Sequence, residues 1–274
     1  MSTLEKKEII LFSTIVIGLS SLTCFISYKT DNSNLSILSV FTPSILALVY
    51  TAINKGKKGI YELFVKQTIK KTKFKWLLIS LIGIPIVASL AMLTSLNFDI
   101  SKFSLRTTQL MPQIVVIILI ALGEEYGWRG FLLSRLMNKF NLFHSSIILG
   151  LIWGIWHFPA YLIGTGVPLQ MNFMVFLLWI ILATLFISWV YYYTKSVLTS
   201  ILAHISANAA FNYLLILPEF TGSMNTFWVF ILYLSIVMMV VFYLRRKDLI
   251  KGYNNEYDIQ SSKCNYTICT KHYN

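Results

Sequence analysis

Long apolar runs separated by short polar segments set the pattern of this chain. A helix that crosses the hydrocarbon of a bilayer needs roughly 20 predominantly apolar residues. Runs of that kind occupy about 9–28, 35–53, 76–96, 112–134, 145–163, 172–193, 196–217 and 225–244. The pattern predicts an all-α, polytopic membrane helix bundle of about eight transmembrane helices. It forms one membrane-embedded domain over 1–244, followed by a polar tail over 245–274. The first run follows Lys6 and Lys7, as the apolar stretch of a signal peptide would. It is long, carries no A-x-A-like cleavage site and is soon followed by a second run, so it reads as a helix. The linker 54–75 can hold a helix of its own, with Ile60, Leu63, Phe64 and Val65 on one face and Lys66, Lys70 and Lys71 elsewhere. That suits an interfacial segment, and equally a solvated basic loop.

Charge orients these runs. The chain is 56% hydrophobic and only 12% charged, with a mean hydropathy of +0.68, against about 25% charged residues in soluble domains. Its net charge is +12, but the cations are not spread over a soluble face. Counted in alternate linkers, 19 of the 23 Lys and Arg fall on one side, and Lys29, Lys102 and Arg106 on the other; Arg129 lies within a run. The positive-inside rule then puts both termini in the cytoplasm. Basic blocks between apolar runs face anionic lipid, so membrane lipid is an expected partner and nucleic acid is not. The Lys-, Ile- and Asn-rich composition suggests a bacterial chain, multi-pass in the plasma membrane. Cys24, Cys264 and Cys269 give neither a disulfide framework nor a zinc spacing.

Ionisable residues inside such runs change the picture, because each costs about 2.5–3.5 kcal/mol on insertion scales and is usually functional. The fourth run holds Glu124, Glu125 and Arg129, the fifth His157, and the seventh His204, Asn208 and Asn212. Glu125 and Arg129 are spaced i, i+4 and can pair within one helix. Glu124 is rotated by about 100° from Glu125 and cannot share that partner equally, so one carboxylate is neutralised while the other stays available. His204, Asn208 and Asn212 repeat at i, i+4 and make one polar stripe. Depth agrees across helices. Counted from Arg135, Lys195 and His144, the residues Glu124, His204 and His157 lie about 17, 14 and 20 Å deep at 1.5 Å per residue. All three can therefore meet near the midplane or slightly cytoplasmic of it.

Glu and His converging in a low-dielectric pocket suit general acid–base chemistry. The same Glu124, His157 and His204 can alternatively hold a divalent metal such as zinc that activates water; spacing does not decide between the two. Gly123, Gly127 and Gly130 permit close helix approach around the site, and Pro159 is placed to break the fifth helix and open space beside His157. Other intramembrane mechanisms fit worse. H-E-x-x-H is absent, no pair of aspartates lies within the runs, and no serine nucleophile motif accompanies the histidines.

Glu124-Glu125-x-x-x-Arg129, Trp153-x-x-x-His157 and His204-x-x-x-Asn208 resemble, in order and on separate runs, the three motifs of the CAAX protease and bacteriocin-processing (CPBP, or ABI) family of intramembrane proteases. The resemblance covers about residues 110–215; Trp153 stands where Phe is the commoner family residue. It implies a Glu-dependent endopeptidase with an eight-span core and a site open toward the cytosol. Glu124 is then the base that activates water. His157 and His204 position that water or ligate a metal, Asn208 stabilises the oxyanion, and Glu125 with Arg129 holds the first motif together. A small membrane-associated peptide or protein is the expected substrate, in bacteriocin or peptide processing or in self-immunity. Two rivals remain on the residues alone: a non-catalytic immunity or scaffold protein that keeps the motifs for structure, and a proton-coupled transporter using the same buried carboxylates. Trp153, Trp156 and the Tyr191-Tyr192-Tyr193 run read as packing and interfacial residues, and His144 and His272 as incidental.

Overall fold

The computed structural model describes residues 3–68, 70–107 and 110–246; most of the tail, with Cys264, Cys269 and His272, lies outside these. Among the described residues the regular structure is helical, apart from one isolated bridge between Leu105 and Leu214. The long helices are α1 (Thr3–Lys29), α2 (Thr42–Ile60), α3 (Phe74–Ser95), α4 (Leu110–Glu125), α6 (Leu142–Leu162), α7 (Phe173–Thr194), α8 (Val197–Tyr213) and α10 (Asn225–Leu244). Two short helices, α5 (Ser134–Met137) and α9 (Pro218–Thr221), cap the ends of α4 and α8. Every predicted run is therefore helical. The chain is an all-α, polytopic membrane bundle.

Six of the helices are long and apolar enough to cross a membrane on their own. The two others are α4, whose α-helical part is 16 residues, and α8, with 17. These two carry Glu124, Glu125, His204 and Asn208.

The bundle is built inside out relative to a soluble protein. Large side chains such as Leu81, Ile86 and Leu90 of α3 and Leu232, Ile236 and Met239 of α10 face outward, where lipid is as apolar a solvent as any core. Small hydroxyl residues, among them Ser80, Ser146, Thr184, Ser200 and Ser206, are buried between helices. All of these except Ser200 donate their hydroxyls to backbone carbonyls, as Ser206 does to Ser80 O at 2.8 Å across α8 and α3. Helix α7 is the most enclosed of the crossing helices and packs on both α6 and α8.

Three local departures from the predicted pattern matter. The second run begins as a 3-10 coil, Ser33–Phe41, and becomes α-helical only at Thr42; Pro43 then sits in the first turn, where its missing N–H is not needed. The linker 54–75 starts as a continuation of α2 through a kink at Gly56 (φ 55°) and a π-helical turn, Tyr61–Lys66. Its apolar face packs on the bundle and does not lie free: Leu63 is buried, and Phe64 stacks on Tyr126 with centroids 4.6 Å apart. Finally, α6 runs through Pro159 to Leu162. Pro159 removes the bond its N–H would make to Ile155 O, but only three helical residues follow it, so no long segment is deflected and the expected break is absent.

Candidate functional site

At Glu125 the fourth helix widens from α into a π-helical segment, Tyr126–Leu133. Such π insertions are rare and gather at functional sites. Here the widened turn is fitted against α2: a Cβ on Gly127 would collide with the Pro43 backbone, and one on Gly123 would come within 2.8 Å of Val40 O. Only glycine allows these backbones to approach so closely.

The two carboxylates that precede the widened segment have different partners. Glu125 is fully buried and its Oε1 accepts from Arg129 Nη1 at 2.7 Å, the predicted i, i+4 pair. The same oxygen accepts from His204 Nδ1 at 2.8 Å, so Glu125 bridges α4 to α8. Arg129 is 0% exposed and its guanidinium lies over the Trp153 ring, 4.6 Å from the centroid, a geometry that suits its planar, weakly hydrated charge. Glu124 is held differently. Its Oε2 accepts from the indole N–H of Trp128 at 3.1 Å and of Trp153 at 2.6 Å. Both bonds fall on one oxygen. Oε1 is left with a free lone pair toward the cavity that Glu124 lines.

The histidines are oriented as firmly. A backbone carbonyl can only accept, so the 2.9 Å contact of His157 Nδ1 with Trp153 O places the proton on Nδ1 and a lone pair on Nε2. The His204–Glu125 bond fixes the same tautomer when that ring is neutral. Aromatic edges set the ring planes: His157 lies between Trp156 (4.7 Å) and Phe176 (5.0 Å), and His204 against Trp153 (5.3 Å). On α8, Asn212 Nδ2 donates back to Asn208 O at 2.8 Å.

Glu124, His157, His204 and Asn208 all line one cavity of about 580 Å3, within the usual range for ligand sites. The predicted set is thus brought together from three helices, with Glu125 and Arg129 packed behind it. Trp153, read from the sequence as packing, and Trp128 prove to be the hydrogen-bond donors that grip Glu124. The i, i+4 spacing of Glu124 and Trp128 was a visible signal for the first; nothing in the sequence pointed to the second as a donor.

The geometry bears on one alternative that spacing left open and on one expectation that the resemblance implied. The free lone pairs, one carboxylate oxygen and two imidazole nitrogens, are of a kind that zinc accepts. Yet among the described residues no three His, Cys, Asp or Glu side chains are close enough together to hold a metal ion. The set as placed does not fit one, and no step below runs through a metal. The cavity also does not open toward the lysine-rich end. Its rim is formed by the 3-10 coil at Ser33 and Asn34, by Thr165 and Gly166 after α6, and by Glu219 and Phe220 after α8. These are the linkers on the Lys- and Arg-poor side.

Residues 106–210 match the family model described as Type II CAAX prenyl endopeptidase Rce1-like. Over 157 residues the chain is 27% identical to CAAX prenyl protease 2 of Methanococcus maripaludis, an overlap that covers 52% of this chain and 57% of that protein. The chain thus aligns with little more than half the length of this curated relative. All three motifs, the cavity-lining parts of α4, α6 and α7 and those of α8 up to Asn208 fall inside the matched segment. Residues 106–210 are thus similar to Rce1-like CAAX prenyl endopeptidases, in keeping with the resemblance of the three motifs to the CPBP family of intramembrane proteases.

Proposed function

We propose that the protein is an intramembrane endopeptidase that hydrolyses a small membrane-associated peptide or protein with Glu124 as general base. The observation that carries this reading is the shared cavity: Glu124, His157, His204 and Asn208 line one space large enough for a short stretch of polypeptide. A water there can donate one hydrogen to Glu124 Oε1 and the other to the Nε2 lone pair of His204, with His157 lining the same cavity. As the water oxygen attacks the scissile carbonyl, Glu124 takes its proton. The Asn208 amide donates to the developing oxyanion. Glu124 then returns the proton to the leaving amine as the C–N bond breaks. The two indole donors on Oε2 hold the carboxylate in register, and the Glu125–Arg129–His204 chain sets the His204 ring. Processing of a bacteriocin-like or signalling peptide, or self-immunity, is the setting we favour for such a reaction.

The test compares wild-type protein with Glu124→Gln in the same cells. The variant keeps shape and both indole acceptor bonds, so it is expected to reach the membrane at normal levels. Mass-spectrometric profiling of new peptide termini in membrane and medium should then show fragments that depend on Glu124. Loss of Glu124 contributes roughly 10^2–10^4 in rate for a general base. Identical fragment profiles at equal protein levels would refute the peptidase reading and leave the scaffold alternative standing.

A further inference from the structure

The cavity has one open end and one closed end, and charge tells which side of the membrane each faces. Below Glu124 the chain continues toward the lysine-rich side through Trp128, Arg129, Leu132 and Leu133, all 0% exposed. Ser200, also 0% exposed, closes the same level from α8. Among the described residues, none of the basic linker 54–75, of the 134–141 turn or of the α7–α8 turn lines the cavity. The opposite end is different. Ser33, Asn34 and Gly166 at its rim are exposed, and Thr165 and Glu219 are half-buried. Each of these lies on a linker of the side that holds only Lys29, Lys102 and Arg106, which the positive-inside rule puts away from the cytoplasm. The lining carries no Lys or Arg.

We infer that the site takes its substrate from the non-cytoplasmic face, so that the substrate class is a polypeptide segment lying on, or emerging from, the outer leaflet. This inference rests on the peptidase reading for what happens in the cavity, but not for where the cavity opens. A cytosolic tail would have to pass the packed layer of Trp128, Arg129 and Leu132, including a buried ion pair that is costly to break. A segment at the outer boundary meets exposed backbone and polar side chains, then the apolar wall of Phe176, Trp179 and Phe211, then Glu124. An exported or membrane-anchored peptide with its cleavage region on the outer side has that route.

Single-cysteine labelling tests it in the full-length protein. In a background with Cys24→Ser, Cys264→Ser and Cys269→Ser, the reporter Thr165→Cys sits at the cavity rim and Lys66→Cys lines a separate cavity at the lysine-rich end. A membrane-impermeant maleimide applied to intact cells should label Thr165→Cys and leave Lys66→Cys unlabelled until the membrane is opened or inverted. Labelling of Thr165→Cys only in inverted vesicles, or in neither preparation, overturns the inference. A second arm follows Glu124-dependent fragments after a bulky impermeant maleimide has reacted with Thr165→Cys on intact cells. Loss of those fragments supports entry from outside; unchanged fragments at full labelling overturn it. Labelling does not need catalysis, so repeating it in Glu124→Gln separates a failure of sidedness from a failure of the peptidase reading.

Discussion

The two ends of this bundle hold two cavities of opposite character. One, of about 580 Å3, is lined by Glu124, His157, His204 and Asn208 and by no Lys or Arg. The other, larger at about 1030 Å3, is lined by Lys55, Lys66, Lys70, Arg135 and Lys195 with Glu8 and Glu62. In the first, Glu124, His157 and His204 are each oriented by an indole, carbonyl or carboxylate partner. The second is a water-facing basic basin whose best-ordered pair, Arg135 with Glu8 at 2.9 Å, is itself partly exposed. Chemistry needs preorganised groups that water cannot screen, whereas inner-leaflet lysines act by summed charge and tolerate disorder. The difference predicts that substitutions near the first cavity are felt singly and those near the second are not.

That contrast can be broken in order of expected effect. Arg129→Ala strands Glu125 without its cation and removes the stack on Trp153; breaking a buried pair costs about 3–5 kcal/mol. Thermal unfolding in detergent should show a large loss, and the variant should accumulate poorly in membranes. Near-normal stability would mean that Glu125 is neutralised by something other than Arg129. Asn208→Ala should leave stability almost unchanged and lower the cleavage rate by roughly 10^2–10^3, the usual effect of removing one oxyanion donor. A change confined to KM would assign Asn208 to binding instead. Trp153→Phe deletes the shorter of the two indole bonds to Glu124, and one hydrogen bond to a charged group is worth about 1.5 kcal/mol, or roughly tenfold in rate. Equal rates for this variant and wild type would show that Trp128 alone holds the carboxylate. At the other end, Lys66→Ala should stay within about 0.5 kcal/mol in stability, as exposed substitutions do, and leave cleavage unchanged. A marked loss of activity there would erase the distinction between the two cavities.

Much of this arrangement was legible in the residues. The eight runs follow from apolar length alone, and the Glu125–Arg129 pair from helical spacing. The shared level of Glu124, His157 and His204 follows from counting residues inward from basic markers. What escaped depends on rotation and bond formation between helices. Trp153 is an ordinary packing residue by pattern, and only the crossing of α6 over α4 turns its N–H onto Glu124. Pro159 has the same composition signal whether it breaks a helix or sits harmlessly near its end. The direction of opening depends on which helix ends splay apart, a property of the packed bundle that no single run encodes.

The Glu125–Arg129 pair lies within one helix, and this bears on how the bundle is assembled. A transmembrane segment carrying a lone carboxylate and a lone guanidinium resists entry into lipid until a distant partner arrives. Here Glu125 and Arg129 are counter-ions one turn apart, which leaves Glu124 as the unpaired carboxylate of that helix and lowers the cost of threading it into the bilayer before α8 exists. The bond from His204 then forms late, when the tight turn at Lys195 folds α8 back along α7. A chain interrupted before α8 is thus expected to be an inserted but chemically silent precursor, with the catalytic geometry completed only by the last third of translation.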